Sequence, residues 1–562
     1  MKKNRVAVRR SVKRAGGLAG ISTTLWMSTA ALAGGTTLLY AGVQMPDSLV
    51  AKWVVRPLAT ISVATVDSSG GLPTTVGETT TTTKTAAPTT VKPTKLGINL
   101  MEADFSASNR PFANLMLSSY IWLKSAAGDP EASYFDSNGN LIKLNAGDNI
   151  QVALPRPNAV YQGKSVDIVC TWTGKATLQV SNNGAAVNGV VRANEARFTY
   201  VNTAAIALLK ILTVDPTNPF GNLDCREAGS DPTKTFDPAY ASFLSRFNTI
   251  RFMDWQEMNK NRTVTWATRS RLVGKNFIRG KDGYPIELMI KLANETHTNP
   301  WFCMPWNADD DYIRKFAELV RDTLDPTLVA HVETANEVWN WYFLVGQQAS
   351  TEGLAEGLST DKGYAQVYRY AERTGQVMDI WSSVFAGKMS RIVRVAAWQA
   401  ANPDGFNYIM GFRTTASKVD ALASAPYLDY NLDTNPVTLA DLSPVFTQMK
   451  SRIDMHVINQ GKIRTIAAKY GKRVIAYEGG QHVTGQASDI NSAIQKDTRM
   501  GDIYTQFLRS WQQNSGDLMV LYADTAAINK YGAWGLTENA GQAPDSTVKG
   551  KSVQLFQAAI SK

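Results

Sequence analysis

Apolar residues are distributed along this chain in three rhythms. Residues 15–46 carry no charge, and the stretch 18–42 within them is long enough to cross a bilayer, which takes about 20 residues. Seven basic residues precede it (Lys2, Lys3, Arg5, Arg9, Arg10, Lys13, Arg14), an asymmetry that holds an N-terminus in the cytoplasm. The segment reads equally as a signal peptide, with a small-residue cleavage pattern at Ala31-Leu32-Ala33. Both readings place the rest of the chain outside the cytoplasm, periplasmic or extracellular, either tethered to the inner membrane through residues 18–42 or secreted.

The second rhythm is alternation. In residues 149–154 (Asn149-Ile150-Gln151-Val152-Ala153-Leu154) and 176–181, apolar and polar positions take turns, and Ser137-Asn138-Gly139-Asn140 and Asn182-Asn183-Gly184 supply turns between runs. This predicts a small antiparallel β-sandwich over 131–230. The third begins near Phe236, where short apolar runs alternate with longer amphipathic segments, the pattern of a parallel α/β architecture. Strands are predicted at 249–253, 300–304, 328–334, 391–397, 423–428, 473–477 and 518–522, with helices over 286–294, 311–324 and 364–386. Residues 96–100 add an eighth strand, and a helix-like stretch comes next over 111–123. Eight strands without a glycine-rich phosphate loop favour a closed (β/α)8 barrel over an open doubly wound sheet. The predicted order is therefore a signal or anchor segment (1–45), a flexible linker rich in Thr, Pro and Gly (46–95, including Thr79–Thr83), the first part of the barrel (96–130), an inserted sandwich (131–230) and the rest of the barrel (231–562).

Composition changes this picture in two places. A length of 562 residues exceeds one hydrophobic core and agrees with more than one folded unit, and 44% hydrophobic with 19% charged residues is ordinary for a globular protein. The net charge of +10 suggests a nucleic-acid partner until the first 50 residues are set aside, which leaves 51 basic against 47 acidic residues. No basic stripe or nucleic-acid motif accompanies the charge, so that class is excluded. Three cysteines permit one disulfide, between Cys170 and Cys225 in the β-rich region, with two free thiols as the alternative; Cys303 sits in an apolar run that reads as a buried strand.

In a (β/α)8 barrel the chemistry gathers where strands end at the C-terminal face. Glu337 ends the fourth predicted strand in Val332-Glu333-Thr334-Ala335-Asn336-Glu337-Val338-Trp339-Asn340. Glu478 ends the seventh in Val474-Ile475-Ala476-Tyr477-Glu478-Gly479-Gly480. Glycosidic cleavage needs one carboxylic acid to protonate the leaving oxygen and one carboxylate to attack, and strands four and seven face each other across such a barrel. Glu333 shares a strand face with Glu337 and is placed to support the site from the interior. Asp309, Asp310 and Asp311 read as a helix N-terminus rather than a metal cluster. The four histidines, His297, His331, His456 and His482, form no metal-type pair.

The pairing of Asn336-Glu337 with Glu478 resembles the clan A glycoside hydrolases, the retaining barrels that include family 5 cellulases and mannanases. The wider pattern is similar to a bacterial branch labelled cellulose-binding-domain-like proteins. It runs through Arg251-Phe252-Met253-Asp254-Trp255, Trp266, Ile286-Glu287, Asn299-Pro300-Trp301-Phe302, residues 308–312 and Asn336-Glu337-Val338-Trp339-Asn340. The resemblance implies Glu337 as acid/base, Glu478 as nucleophile and Asn336 as a hydrogen-bond donor to the substrate 2-hydroxyl. Arg251 matches an arginine that keeps the nucleophile ionised in family 5, since a nearby cation favours the charged carboxyl. The same resemblance implies that Tyr427 orients the nucleophile and that Trp534 forms a floor on which the apolar face of a sugar stacks. Trp306, Trp339 and Trp398 come after strand ends as cleft candidates, and His482, four residues after Glu478, joins them. Family 5 histidines near strands three and six are replaced here by Trp306 and Tyr427.

No cofactor and no metal are implied, because two carboxyls and water suffice. The partner is a polysaccharide or oligosaccharide. The competing reading is a carbohydrate-binding protein or export scaffold without turnover, which would bind glycan, or a protein partner, without cleaving anything.

Overall fold

The computed structural model describes residues 94–123, 132–181, 183–271, 283–485 and 488–560. The charge-free segment 18–42 lies outside the described residues, as does the linker except for Thr94 and Lys95. Among the described residues no helix is long and apolar enough to cross a membrane.

Eight parallel strands close into a barrel: β1 (Leu96–Asn99), β2 (Thr249–Arg251), β3 (Asn299–Met304), β4 (Ala330–Thr334), β5 (Ile392–Ala397), β6 (Ala421–Ser424), β7 (Arg473–Ala476) and β8 (Met519–Leu521). β8 returns to pair with β1, Leu96 opposite Met519. The chain is thus an α/β protein with a (β/α)8 barrel. Strand alternation sends neighbouring side chains to opposite faces. Ile250, Phe252, Phe302, Met304 and Val332 pack into one cluster with helix residues such as Phe316, Val320 and Trp381. Trp301, Cys303, Val395, Ala421, Ala423 and Val520 belong to a second.

Helices alternate with the strands: α1 (Pro238–Leu244), α2 (Ile286–Thr296), α3 (Asp310–Thr323), α4 (Leu344–Ala355), α5 (Lys362–Val384), α6 (Asp404–Gly411), α7 (Ser443–Lys469), α8 (Ser488–Lys496), α9 (Thr498–Asn514) and α10 (Val548–Ile560). The α3 start shows why the aspartate run is there. Asp309 accepts the Tyr312 N–H at 2.7 Å, satisfying a donor the helix cannot, while Asp310 and Asp311 occupy the first turn.

Two expectations are corrected. The sixth strand does not run through 423–428. It stops at Ser424, because Pro426 has no N–H to give a ladder, and a new strand, Tyr427–Asn431, pairs in parallel with Gly480–Thr484 beyond β7. The helix-like stretch 111–123 is a single 3-10 turn, Leu115–Ser118, and then a strand, Tyr120–Leu123, that pairs with Ile150–Ala153; a β-branched and aromatic run suits a pleated edge better than a helix.

Between β1 and α1 the chain forms two four-stranded antiparallel sheets. One takes in Tyr120–Leu123, Ile150–Ala153, Leu208–Val214 and Ala176–Ser181, and so reaches ahead of residue 131; the other takes in Ala186–Arg192, Glu195–Tyr200, Val166–Thr173 and Gly221–Glu227. They share a core of their own that includes Ile150, Ile168, Phe198 and Ile211. Cys170 and Cys225 stand directly opposite on paired strands and are bridged, and Cys303 is a buried free thiol.

Candidate active site

Arg251 ends β2 and is fully buried, which a guanidinium tolerates only when its donors find acceptors. Nη1 donates to Glu478 Oε1 at 2.6 Å and to Asn99 Oδ1 at 3.0 Å. Nη2 donates to Asn336 Oδ1 at 2.8 Å, and Nε to Glu333 Oε2 at 3.0 Å. One cation therefore ties β1, β2, β4 and the turn after β7 together. Trp301 Nε1 also donates to Glu333 Oε2, at 2.9 Å, so Glu333 supports the site from the interior as its strand position suggested.

Glu478 is 4% exposed. Its other oxygen, Oε2, accepts the Tyr427 hydroxyl at 2.9 Å. The new strand after Pro426 brings Tyr427 there by pairing it with Gly480. Gly480 has φ +129°, where a side chain is strained, and a Cβ would meet the Tyr504 hydroxyl at 2.9 Å. From α7, His456 Nε2 is 2.8 Å from the Tyr427 carbonyl oxygen and fixes the peptide behind the ring.

Glu337 lies half-buried beyond β4. Ala335 and Glu337 both take left-handed backbone, φ 56° and 44°. Non-glycine residues hold that conformation at a cost of roughly 1–3 kcal/mol each, and do so only where the surroundings fix them. The surroundings here are neutral donors. Asn340 Nδ2 donates to Glu337 Oε2 at 2.9 Å, and Tyr477 donates its hydroxyl to Oε1 at 3.2 Å. Trp339 Nε1 in turn donates to the Tyr477 hydroxyl at 3.1 Å.

Beside Glu478 stands an aromatic group. His482 meets Tyr427 edge to face at 5.0 Å and Trp534 at 5.8 Å, and Tyr522 meets Trp534 at 5.7 Å. These rings are half-buried and leave flat apolar faces beside Glu478. Asn336 Oδ1 accepts from Arg251 Nη2, and its Nδ2 donates to Asn259 Oδ1 at 2.9 Å. Trp306 and Trp398, each 4% exposed, do not join the group. Trp306 comes after Pro305 and turns to the helices, its N–H 3.3 Å from Glu352 on α4 and its ring 5.5 Å from the Arg369 guanidinium on α5. Trp398 packs on Tyr370 of α5 at 5.5 Å.

No family model matches the chain. Nor does any curated protein. Solved structures are similar over part of it: an arabinofuranosidase of Xanthomonas axonopodis pv. citri at 12% identity and TM-score 0.38, over 58% of this chain and 68% of that one. A rhamnosyl-glucuronidase of Fusarium oxysporum matches at 13% identity and TM-score 0.37, over 57% and 65%. Xylanase 10B of Thermotoga maritima matches at 10% identity and TM-score 0.34, over 57% and 90%.

The charges decide what the cluster can do. Burial, and then the negative charge of Glu478, push the Glu337 carboxyl up to about 8; the Asn340 and Tyr477 donors pull the other way. Burial likewise raises Glu333, with Arg251 opposing it, and raises Asp254 to about 7, while Tyr522 donates to Asp254 Oδ2 at 3.0 Å. At neutral pH the site therefore holds a protonated Glu337 and, across from it, a Glu478 paired with a cation. Such a pair can deliver a proton at one point and a carboxylate at another. Among the described residues no three His, Cys, Asp or Glu are grouped to hold a metal.

Tyr477, Asn340, Asn99, His456 and Tyr522 were missed by sequence reasoning. Tyr477 alone carried a signal, as the residue between the end of an apolar strand and its terminal acid.

Proposed function

We propose that this chain is an exported retaining glycoside hydrolase, or transglycosylase, acting on a polysaccharide, with the two antiparallel sheets between β1 and α1 as an inserted sandwich domain. The observation that carries the reading is the unequal pair: Glu478 bonded to Arg251 and Tyr427, and Glu337 bonded to neutral donors and pushed up to about 8.

Glu337 gives its proton to the glycosidic oxygen as the bond to the anomeric carbon breaks, and the leaving sugar departs as an alcohol. A Glu478 oxygen takes that carbon and forms a glycosyl ester. Water, or a sugar hydroxyl in transglycosylation, then attacks the same carbon, Glu337 takes its proton, and the Glu478 carboxylate is released. His482, Tyr522 and Trp534 offer stacking surfaces for the sugar. The bridge between Cys170 and Cys225 favours an oxidising compartment and supports export, together with the charge-free segment and its basic flank.

The test is reducing-sugar release by the full-length protein against β-glucans, mannans, xylans and bacterial exopolysaccharides. Release by the wild type that falls on the order of 10⁴-fold in Glu478→Ala supports the reading. Glycan binding without release, equal in both proteins, replaces it with the carbohydrate-binding alternative.

A further inference from the structure

Resting on the role proposed for Glu337, we propose that Tyr477 is the positioning residue of the acid: its hydroxyl, held by the Trp339 indole, fixes the Glu337 carboxyl and tunes its protonation from the opposite wall of the site. Four contacts converge on Tyr477. Its hydroxyl donates to Glu337 Oε1 at 3.2 Å and accepts from Trp339 Nε1 at 3.1 Å. Its ring lies 5.0 Å from the Arg251 guanidinium, and its carbonyl oxygen accepts Asn99 Nδ2 at 3.0 Å. A residue adjacent in sequence to Glu478 thus reaches the other carboxyl, so the two glutamates share one rigid link.

Donor chemistry separates Tyr477 from Asn340. The Asn340 amide nitrogen can only donate, and the amide orientation is set because its oxygen accepts the Tyr342 N–H at 3.0 Å. A phenol hydroxyl can donate to a carboxylate or accept from a carboxylic acid, and so it can accompany Glu337 through both halves of a cycle in which that residue is first acid and then base. The other groups facing Glu337 are Glu478 from the turn after β7, Arg251 from β2 and Tyr427 from the strand after β6. Once Glu337 is charged the hydroxyl donates to it and stabilises that form, so removing the hydroxyl raises the pH at which Glu337 loses its proton.

The experiment tracks the Glu337 side-chain carboxyl carbon by NMR titration in the full-length protein labelled at glutamate, with the signal assigned by its loss in Glu337→Gln. Tyr477→Phe keeps the ring against Arg251 and is expected to raise the Glu337 midpoint by about one pH unit, the worth of one hydrogen bond to a charged group. Trp339→Phe leaves the hydroxyl in place but unanchored and shifts the midpoint in the same direction by less. Thermal unfolding of both variants checks that they are folded. An unchanged midpoint in folded Tyr477→Phe overturns the proposal. A wild type that cleaves no glycan while the shift is present removes the hydrolase reading and leaves the Tyr477 coupling standing.

Discussion

Glu337 and Glu478 stand at the ends of β4 and β7 in opposite surroundings. The wall around Glu478 is built on a buried cation, with Arg251 on one oxygen and the Tyr427 hydroxyl on the other. The wall around Glu337 is built on neutral donors: Asn340 and Tyr477 serve the carboxyl, and burial beside Glu478 pushes it up to about 8. The same side chain is held by neutral donors on one wall and by a cation on the other, so environment, not residue type, sets the two apart.

The largest expected effect comes from removing the cation. Arg251→Met leaves Glu333 and Glu478 buried without their cation, which costs about 3–5 kcal/mol of stability and is read as a fall in the urea midpoint. Adding Glu333→Gln recovers part of that loss. If Arg251→Met is as stable as wild type, the cation is not what distinguishes the two walls.

Next is pH. Glu337 must carry its proton to act as the acid, so kcat/KM falls about tenfold per unit above pH 8. Stability changes in the same direction. A carboxyl held above its unfolded value contributes most below that value, near 4.5, and the contribution is lost as pH rises through about 8. The urea midpoint therefore declines between about pH 5 and pH 9, and Glu337→Gln flattens the decline. The smallest effect is that of Tyr427→Phe, which removes one of the two contacts holding Glu478; kcat/KM drops about tenfold with little change in unfolding.

Much of this was legible along the chain. Eight short apolar runs marked the barrel strands, since strands buried on both faces are nearly continuous in apolar residues. Glu337 and Glu478 were visible as acids at the ends of such runs, and Arg251 through the family resemblance. Tyr477 was legible only as the residue before a terminal acid, because its contacts with Glu337, Trp339 and Arg251 arise from barrel closure; Asn340 was not, because nothing in the sequence shows that the left-handed turn at Glu337 brings the two side chains together. Trp306 and Trp398 were misplaced because a tryptophan after a strand end carries no sign of which way the next turn sends it. Pro426 had a readable meaning: it splits the sixth strand, and the second piece is what brings Tyr427 to Glu478. Residues 111–123 misled because their apolar spacing fits a helix while Tyr120-Ile121-Trp122 prefers a sheet.

The central claim is that Glu478 bonds to the sugar while Glu337 handles the proton. The most direct measurement is the configuration of the first-formed sugar, monitored by proton NMR during cleavage of whichever glycan the panel identifies. The account predicts retention, from two displacements at one carbon. Inversion would contradict it, since Glu478 would then be activating water instead of attacking the sugar.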